Sequence, residues 1–345
     1  MPNHEGLAPS PTALPRAILP TMIPISILDL SPVPEGSDAG VALRNSADLA
    51  RHAEKLGFQR YWMAEHHNLP GIASAATAVA LAHVAANTST IKIGAGGIML
   101  PNHAPLIIAE QFGTLAALHP GRVELALGRA PGSDQITARA MRRTLQSGDD
   151  FPNDVVELMH YFQPPEPDQA IVAVPGAGLN VPVWILGSST YGAQLAAMLG
   201  LPYGFASHFA PGMMMDAIAI YRQRFRPSAQ SDKPNVMLGL NLVAADTDEE
   251  ARILFTSTQQ SFLNIRRGRP AKLPAPVANL QIDAYGQAML DDALSCAVVG
   301  GPDTVRRGLE AFAERTGADE FMVTSNIFDH AKRKRSFEIL AGICQ

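Results

Sequence analysis

The chain has 345 residues, 47% of them apolar and only 17% charged, below the roughly one quarter charged that is usual for globular domains. Such a chain can bury a large core, and its net charge of −5 argues against nucleic-acid binding through a broad basic face. Cys296 and Cys344 are its only cysteines, too few for a disulfide framework or a cysteine-rich zinc site, so a reduced, cytoplasmic protein is expected.

In chain order, residues 1–22 are Pro-rich, match neither a signal peptide nor a membrane span, and read as a flexible extension ahead of a single domain over 23–345. A buried strand is expected over 24–30, then an amphipathic helix, VALRNSADLARHAEKLG (41–57), stopped by Gly57. QRYWMAEHH (59–67) is a second strand and SAATAVALAHVAANT (74–88) a second helix. The strand TIKIGAGGIML (90–100), the helix 105–119 and the strand RVELALG (122–128) follow. A polar helical stretch runs from about Ser133 to Phe162 and a Pro-rich segment follows, with an insertion expected over about 150–180. Strands are then expected at 181–187, 202–209, 236–245 and 319–326, each followed by a helix, with a long irregular or helical region reaching about Val299 before the last of them.

Eight strands alternating with helices imply parallel pairing through right-handed crossovers, and eight such units over this length predict an α/β fold of the TIM-type (β/α)8 barrel. An open doubly wound sheet is the rival, but no GxGxxG loop follows the first strand. Barrel chemistry sits where strands run into loops at their C-terminal ends. That rim receives Asp29 and Ser31, Glu65 to Asn68, Met99 and Asn102, Arg129, Ser188 and Ser189, and Ser207 and His208.

Glu65, His66, His67 and His208 invite a zinc reading, but adjacent strand residues point to opposite faces and neither HxH nor HExxH is present. No metal is therefore expected, and a serine hydrolase is disfavoured because no GxSxG elbow occurs. LGRAPGS (127–133) puts Arg129 directly after an apolar strand, where a guanidinium needs an anionic partner. GSSTYGAQLAA (187–197) opens a helix whose free N–H groups favour an anion, although GSST also reads as a plain N-cap. Together they point to a phosphate-bearing cofactor. Gly94 to Gly97 interrupt the third strand, which marks either a ligand lying against the backbone or a tight spot in the barrel.

In this order, GFQRYWMAEHH, the long segment from IKIGAGGIML to LGRAPG, VPVWILGSSTYGAQLAAMLGLPYGFASHF and DEFMVTSN make the chain resemble the bacterial luciferase-like flavin monooxygenases. The resemblance implies a barrel that binds FMN, taken up as reduced FMN from a separate NAD(P)H:flavin reductase or generated with a nicotinamide nucleotide. The reduced flavin would react with dioxygen to give a flavin hydroperoxide that oxygenates a small organic substrate. By the same resemblance His66 is the catalytic histidine, and Gly96–Gly97 forms a cis peptide beneath the isoalloxazine near Met99. Arg129, Gly187, Ser188, Ser189, Tyr191 and Gly192 would hold the phosphate, while Asp29, Ser31, His67, Ser207 and His208 are expected in the substrate pocket.

The chain has Gly128 and Ser188 where the light-emitting luciferase subunit has a reactive Cys and a Glu, so light emission from a long-chain aldehyde is not expected. Residues 258–295 correspond to the family's mobile lid. RRGRP within it reads as a solvated basic loop. The Ala-rich second helix matches the pairing element of related proteins, so a homodimer is expected. The alternatives are a deazaflavin-dependent hydride-transfer reductase of the same superfamily and a non-catalytic flavin-binding protein.

Overall fold

A computed structural model describes residues 23–130, 134–143 and 150–344; the expected N-terminal extension lies outside them. β1 (Ile25–Asp29) is buried at every position, as a strand covered on both faces must be. α1 (Ala39–Leu56) begins where the Asp38 carboxylate accepts from the Val41 N–H and ends at Gly57, whose φ of 83° suits glycine. The alternation continues through β2 (Arg60–Met63), α2 (Thr77–Ala86), β3 (Lys92–Met99), α3 (Pro105–Leu118) and β4 (Val123–Gly128). Two short helices, α4 (Gln135–Ala140) and α5 (Phe151–Tyr161), follow. Then come β5 (Val183–Gly187), α6 (Thr190–Leu199), β6 (Tyr203–Phe205), α7 (Met214–Arg224), β7 (Val236–Ala244) and α8 (Asp248–Arg266). The chain closes with α9 (Ala284–Ala293), β8 (Val298–Gly300), α10 (Pro302–Thr316), β9 (Glu320–Thr324) and α11 (His330–Cys344).

Every strand pair is parallel, and β1-β2-β3-β4-β5-β6-β7-β9 return to β1 to close an eight-stranded TIM-type barrel. β8 stands outside this ring, pairing Val298 to Gly300 with the far end of β7 at Leu242 to Ala244. It falls where irregular or helical chain was expected, because three residues are too few to show a period. Strand two also stops at Met63 rather than running on through the histidines. The expected lid is partly regular: its beginning is the last turns of α8 and its end contains α9. In RRGRP, Arg266 lies over Phe262 and the exposed Arg267 pairs with Asp283 at 2.9 Å. No helix among the described residues is long and apolar enough to cross a membrane.

Strand alternation sorts the core into two. Tyr61 and Met63 face the helices in the large outer core, whereas Trp62 points inward. There it joins Leu28, Ala126, Trp184, Met237 and Met322 in an apolar plug, with Trp62 and Trp184 edge to face at 5.4 Å. Below the plug, at the strands' N-terminal ends, the Arg60 guanidinium donates to Glu124 at 2.9 Å and to Glu320. The Trp62 indole N–H and Lys92 also donate to Glu124, and the Ser26 hydroxyl to Glu320. This sealed polar layer closes one end of the barrel, so the open end carries the site.

Candidate active site

At the strands' C-terminal ends a cavity of about 220 Å³ opens above the plug. A single water needs only about 10–15 Å³ on a comparable measure, so the space is on the scale of an organic ring system rather than an ion. Its floor is Leu28, Trp62, Leu186, Met237 and Met322, with polar groups gathered on the walls.

The stretch after β2 distributes its side chains to opposite sides. His66 lines the cavity. Glu65 and His67 turn away from it together, His67 Nε2 lying 2.7 Å from the buried Glu65 carboxylate. Glu65 also accepts from the Met99 N–H (2.9 Å), Asn102 Nδ2 (3.2 Å) and His103 Nε2 (2.9 Å), tying the end of β2 to the end of β3. Burial alone would raise its carboxyl, but donation from His103, His67 and the Met99 N–H holds it below the ordinary range.

β3 brings Gly96, Gly97 and Met99 to the cavity wall, and the Gly96–Gly97 peptide is cis. The pairing with β4 slips by one residue between Gly96 and Ile98. A Cβ on Gly97 would stand 2.5 Å from the Ala126 carbonyl, so no side chain fits there, and one on Gly96 would stand 2.8 Å from Leu28 Cδ1, which would have to move.

Arg129 follows β4 and is exposed, not buried as its place in the sequence implied; its guanidinium lies 4.1 Å from the centre of the Tyr191 ring. Tyr191 belongs to the first turn of α6. Ser189 occupies that helix's N-cap position, yet its side chain makes no capping bond. The plain N-cap reading of GSST therefore does not hold. The first-turn N–H groups, Ser188, Ser189, Gly187 and Gly192 border the same cavity as Arg129, a donor set suited to a phosphate. Residues 131–133 of the LGRAPGS stretch lie outside the described residues.

His208, after β6, completes the wall. Its Nδ1 is buried, has no hydrogen-bond partner among the described residues, and packs so closely on Gly239 that a Cβ there would stand 2.3 Å away. Burial, with repulsion from His66, pushes its pKa down to about 4, so the ring is neutral near pH 7.

Four residues expected in the pocket are not part of the cavity lining. Asp29 is fully buried, bonded to the Arg333 guanidinium at 2.8 Å and to the Tyr61 hydroxyl. Burial would raise it, but Arg333 holds it low. Ser31 bonds to Ser46, His67 faces Glu65, and the Ser207 hydroxyl donates to the Gly239 carbonyl at 2.6 Å. The partners of Asp29, Ser31 and Ser207 lie 15 to 304 positions away, beyond the reach of local patterning, whereas His67 meets Glu65 only two positions away.

The comparisons decide the family. A model of the luciferase-like monooxygenases matches residues 23–320. The chain belongs to the luciferase-like monooxygenase family. It is 53% identical over 327 residues to a protein of Escherichia coli strain K12 described as a luciferase-like monooxygenase, covering 93% of this chain and 97% of that one. The crystal structure of apo-MsnO8 is 32% identical, with a TM-score of 0.82 over 93% of this chain and 98% of that one. Two structures at 17% identity and a TM-score of 0.70 share the fold. One is the oxygenating constituent of 3,6-diketocamphane monooxygenase from Pseudomonas putida with FMN, covering 93% of this chain and 97% of its own. The other is an F420-dependent secondary alcohol dehydrogenase, covering 94% and 99%.

Several residues that line the cavity carry no signal in the sequence. Trp62, Met237 and Met322 look like core because they also are core. Phe151, at the start of α5, shows that the insertion contributes to the wall. Gly239 could have been found, since it interrupts an apolar strand as Gly94 to Gly97 do.

Proposed function

We propose that this protein is an FMN-dependent monooxygenase that takes up reduced FMN and uses dioxygen to oxygenate a small organic substrate. One observation carries the reading: His66, the Gly96–Gly97 backbone and the Arg129–α6 donor set border a single cavity. Reduced flavin supplies two electrons to dioxygen, one oxygen atom going to the substrate and the other to water. The residues present fit that group. Gly96 and Gly97, where a Cβ would clash, leave backbone alone for the face of a ring. Arg129 and the open first turn of α6 would hold the phosphate through charge and N–H donation. His66 would move a proton at the reactive edge, where an imidazole can give or take one near neutral pH. His208, neutral, adds no charge that would compete with His66.

A separate NAD(P)H:flavin reductase in the cytoplasm would deliver the electrons. A second copy of the chain would pair across α2 and α3, which leave Val79 and Leu118 exposed at 72% and 67%. His66→Ala should retain FMN affinity while oxygenated product formed per flavin oxidised falls by about 10²–10⁴-fold, the range for loss of a general acid or base. Unaltered product yield would remove His66 from the chemistry. Tighter binding of reduced deazaflavin than of reduced FMN would redirect the reading to hydride transfer.

A further inference from the structure

Beside the main cavity, and separated from it by Leu30, which lines both, is a second space of about 80 Å³. Its wall is Pro32, Ile72, Ile265 and Leu273 with their neighbours, and no residue lining it carries a charge. Asn326, just past β9, also faces it. The Asn326 Oδ1 is buried and has no hydrogen-bond partner among the described residues. Buried side-chain acceptors are ordinarily bonded, so an unbonded one on a residue that borders a cavity points to a donor that the described residues do not supply. Thr324, the last residue of β9, and Ser325 likewise bury hydroxyls without partners among the described residues.

The roof is fixed rather than adaptable. Leu273 exchanges backbone hydrogen bonds with Val33 (2.8 Å) and Glu35 (2.9 Å), and the Val33 N–H in turn reaches the Gly71 carbonyl at 2.9 Å. Gly71 sits so close beneath this strap that a Cβ would stand 2.5 Å from the Ala271 carbonyl. Lys272 anchors the strap from outside on the Ser37 carbonyl at 2.6 Å. The space is therefore bounded, with room for about six water-sized groups, the scale of a short alkyl segment.

We infer that this side cavity holds the non-reacting end of the substrate: a short, uncharged alkyl segment that donates an N–H or O–H to Asn326 Oδ1. The inference rests on the monooxygenase reading for the word substrate, and it names the substrate class. The reacting end passes Leu30 into the main cavity beside His66. Charged tails are excluded by the uncharged wall, and long unbranched chains by the strap.

The test uses the full chain with isoleucine methyl groups labelled for NMR, titrated with 1-propanol through 1-octanol and with methyl ethers of matched length. The alcohols should shift the Ile72 and Ile265 methyls, bind best at intermediate length, and bind about fivefold more tightly than the ethers, the scale of one net hydrogen bond. Asn326→Leu should erase the difference between alcohol and ether. Ile72→Trp should abolish the shift at Ile265 while FMN affinity, followed by flavin fluorescence on the same samples, stays unchanged. Equal binding of alcohols and ethers, silent methyls, or displacement of the alcohols by FMN would overturn the inference. Loss of FMN binding with the alcohol response intact would instead refute the cofactor reading.

Discussion

At the N-terminal ends of the strands, Arg60 holds Glu124 and Glu320, Trp62 and Lys92 donate further to Glu124, and Ser26 donates to the Glu320 oxygen that Arg60 leaves. At the C-terminal ends, His208, Thr324, Ser325 and Asn326 bury polar atoms that find no partner among the described residues. Both ends are built from buried polar groups inside one barrel, so burial alone does not distinguish structure from function. Saturation does. Groups that satisfy one another close the barrel, and groups left open wait for something the chain does not supply.

The largest effect should come from breaking the saturated end. Arg60→Met would leave the buried Glu320 without a cation and Glu124 with Lys92 alone, and should cost about 3–5 kcal/mol in chemical denaturation. FMN affinity of the folded fraction should not change; a loss below about 1 kcal/mol would show that the layer is not what closes the barrel. Glu65 sharpens the contrast, because it lies at the open end yet is fully bonded. Glu65→Gln exchanges an acceptor of four donors for an amide that must turn its own N–H groups on them, and should cost about 1.5–3 kcal/mol. Neutrality in the same assay would mean that this carboxylate does not tie β2 to β3.

A smaller effect follows from pH. The folded-state pKa of His208 lies at about 4, below its ordinary value of 6.5. Between those two values the unfolded chain binds more protons, so stability falls as the pH drops from 6.5 to 4 and loses nothing further below that. His208→Gln should make that slope shallower, by at most about 1.4 kcal/mol per pH unit. An unchanged slope between wild type and variant would contradict a neutral, unpartnered imidazole at the cavity.

The barrel was legible because its signals are local. Gly57, Gly200 and Gly317 each end a helix in the left-handed conformation, and apolar runs recur between them. What stayed hidden depends on distance along the chain. Arg60 meets Glu320 across 260 positions and Asp29 meets Arg333 across 304, so nothing near Asp29 could show that its carboxylate was already taken. The site was partly readable for the same reason. Alternation placed His66 on one side of its neighbours, and glycines in an apolar strand announced a close approach. By contrast, Asn326 looked like an ordinary strand end until the strap from Leu273 to Val33 was seen to close a space around it.

The open end as a reduced-flavin site is tested most directly by anaerobic titration with photoreduced FMN, comparing wild type with Arg129→Ala. Saturable binding near about 1 μM, one flavin per chain, should weaken by more than tenfold in the variant, about 1.4 kcal/mol or more. Because Arg129 is exposed, the variant's stability without flavin should stay within about 0.5 kcal/mol of wild type. Wild-type protein that fails to take up reduced FMN, or a variant that binds it equally well, would contradict the assignment.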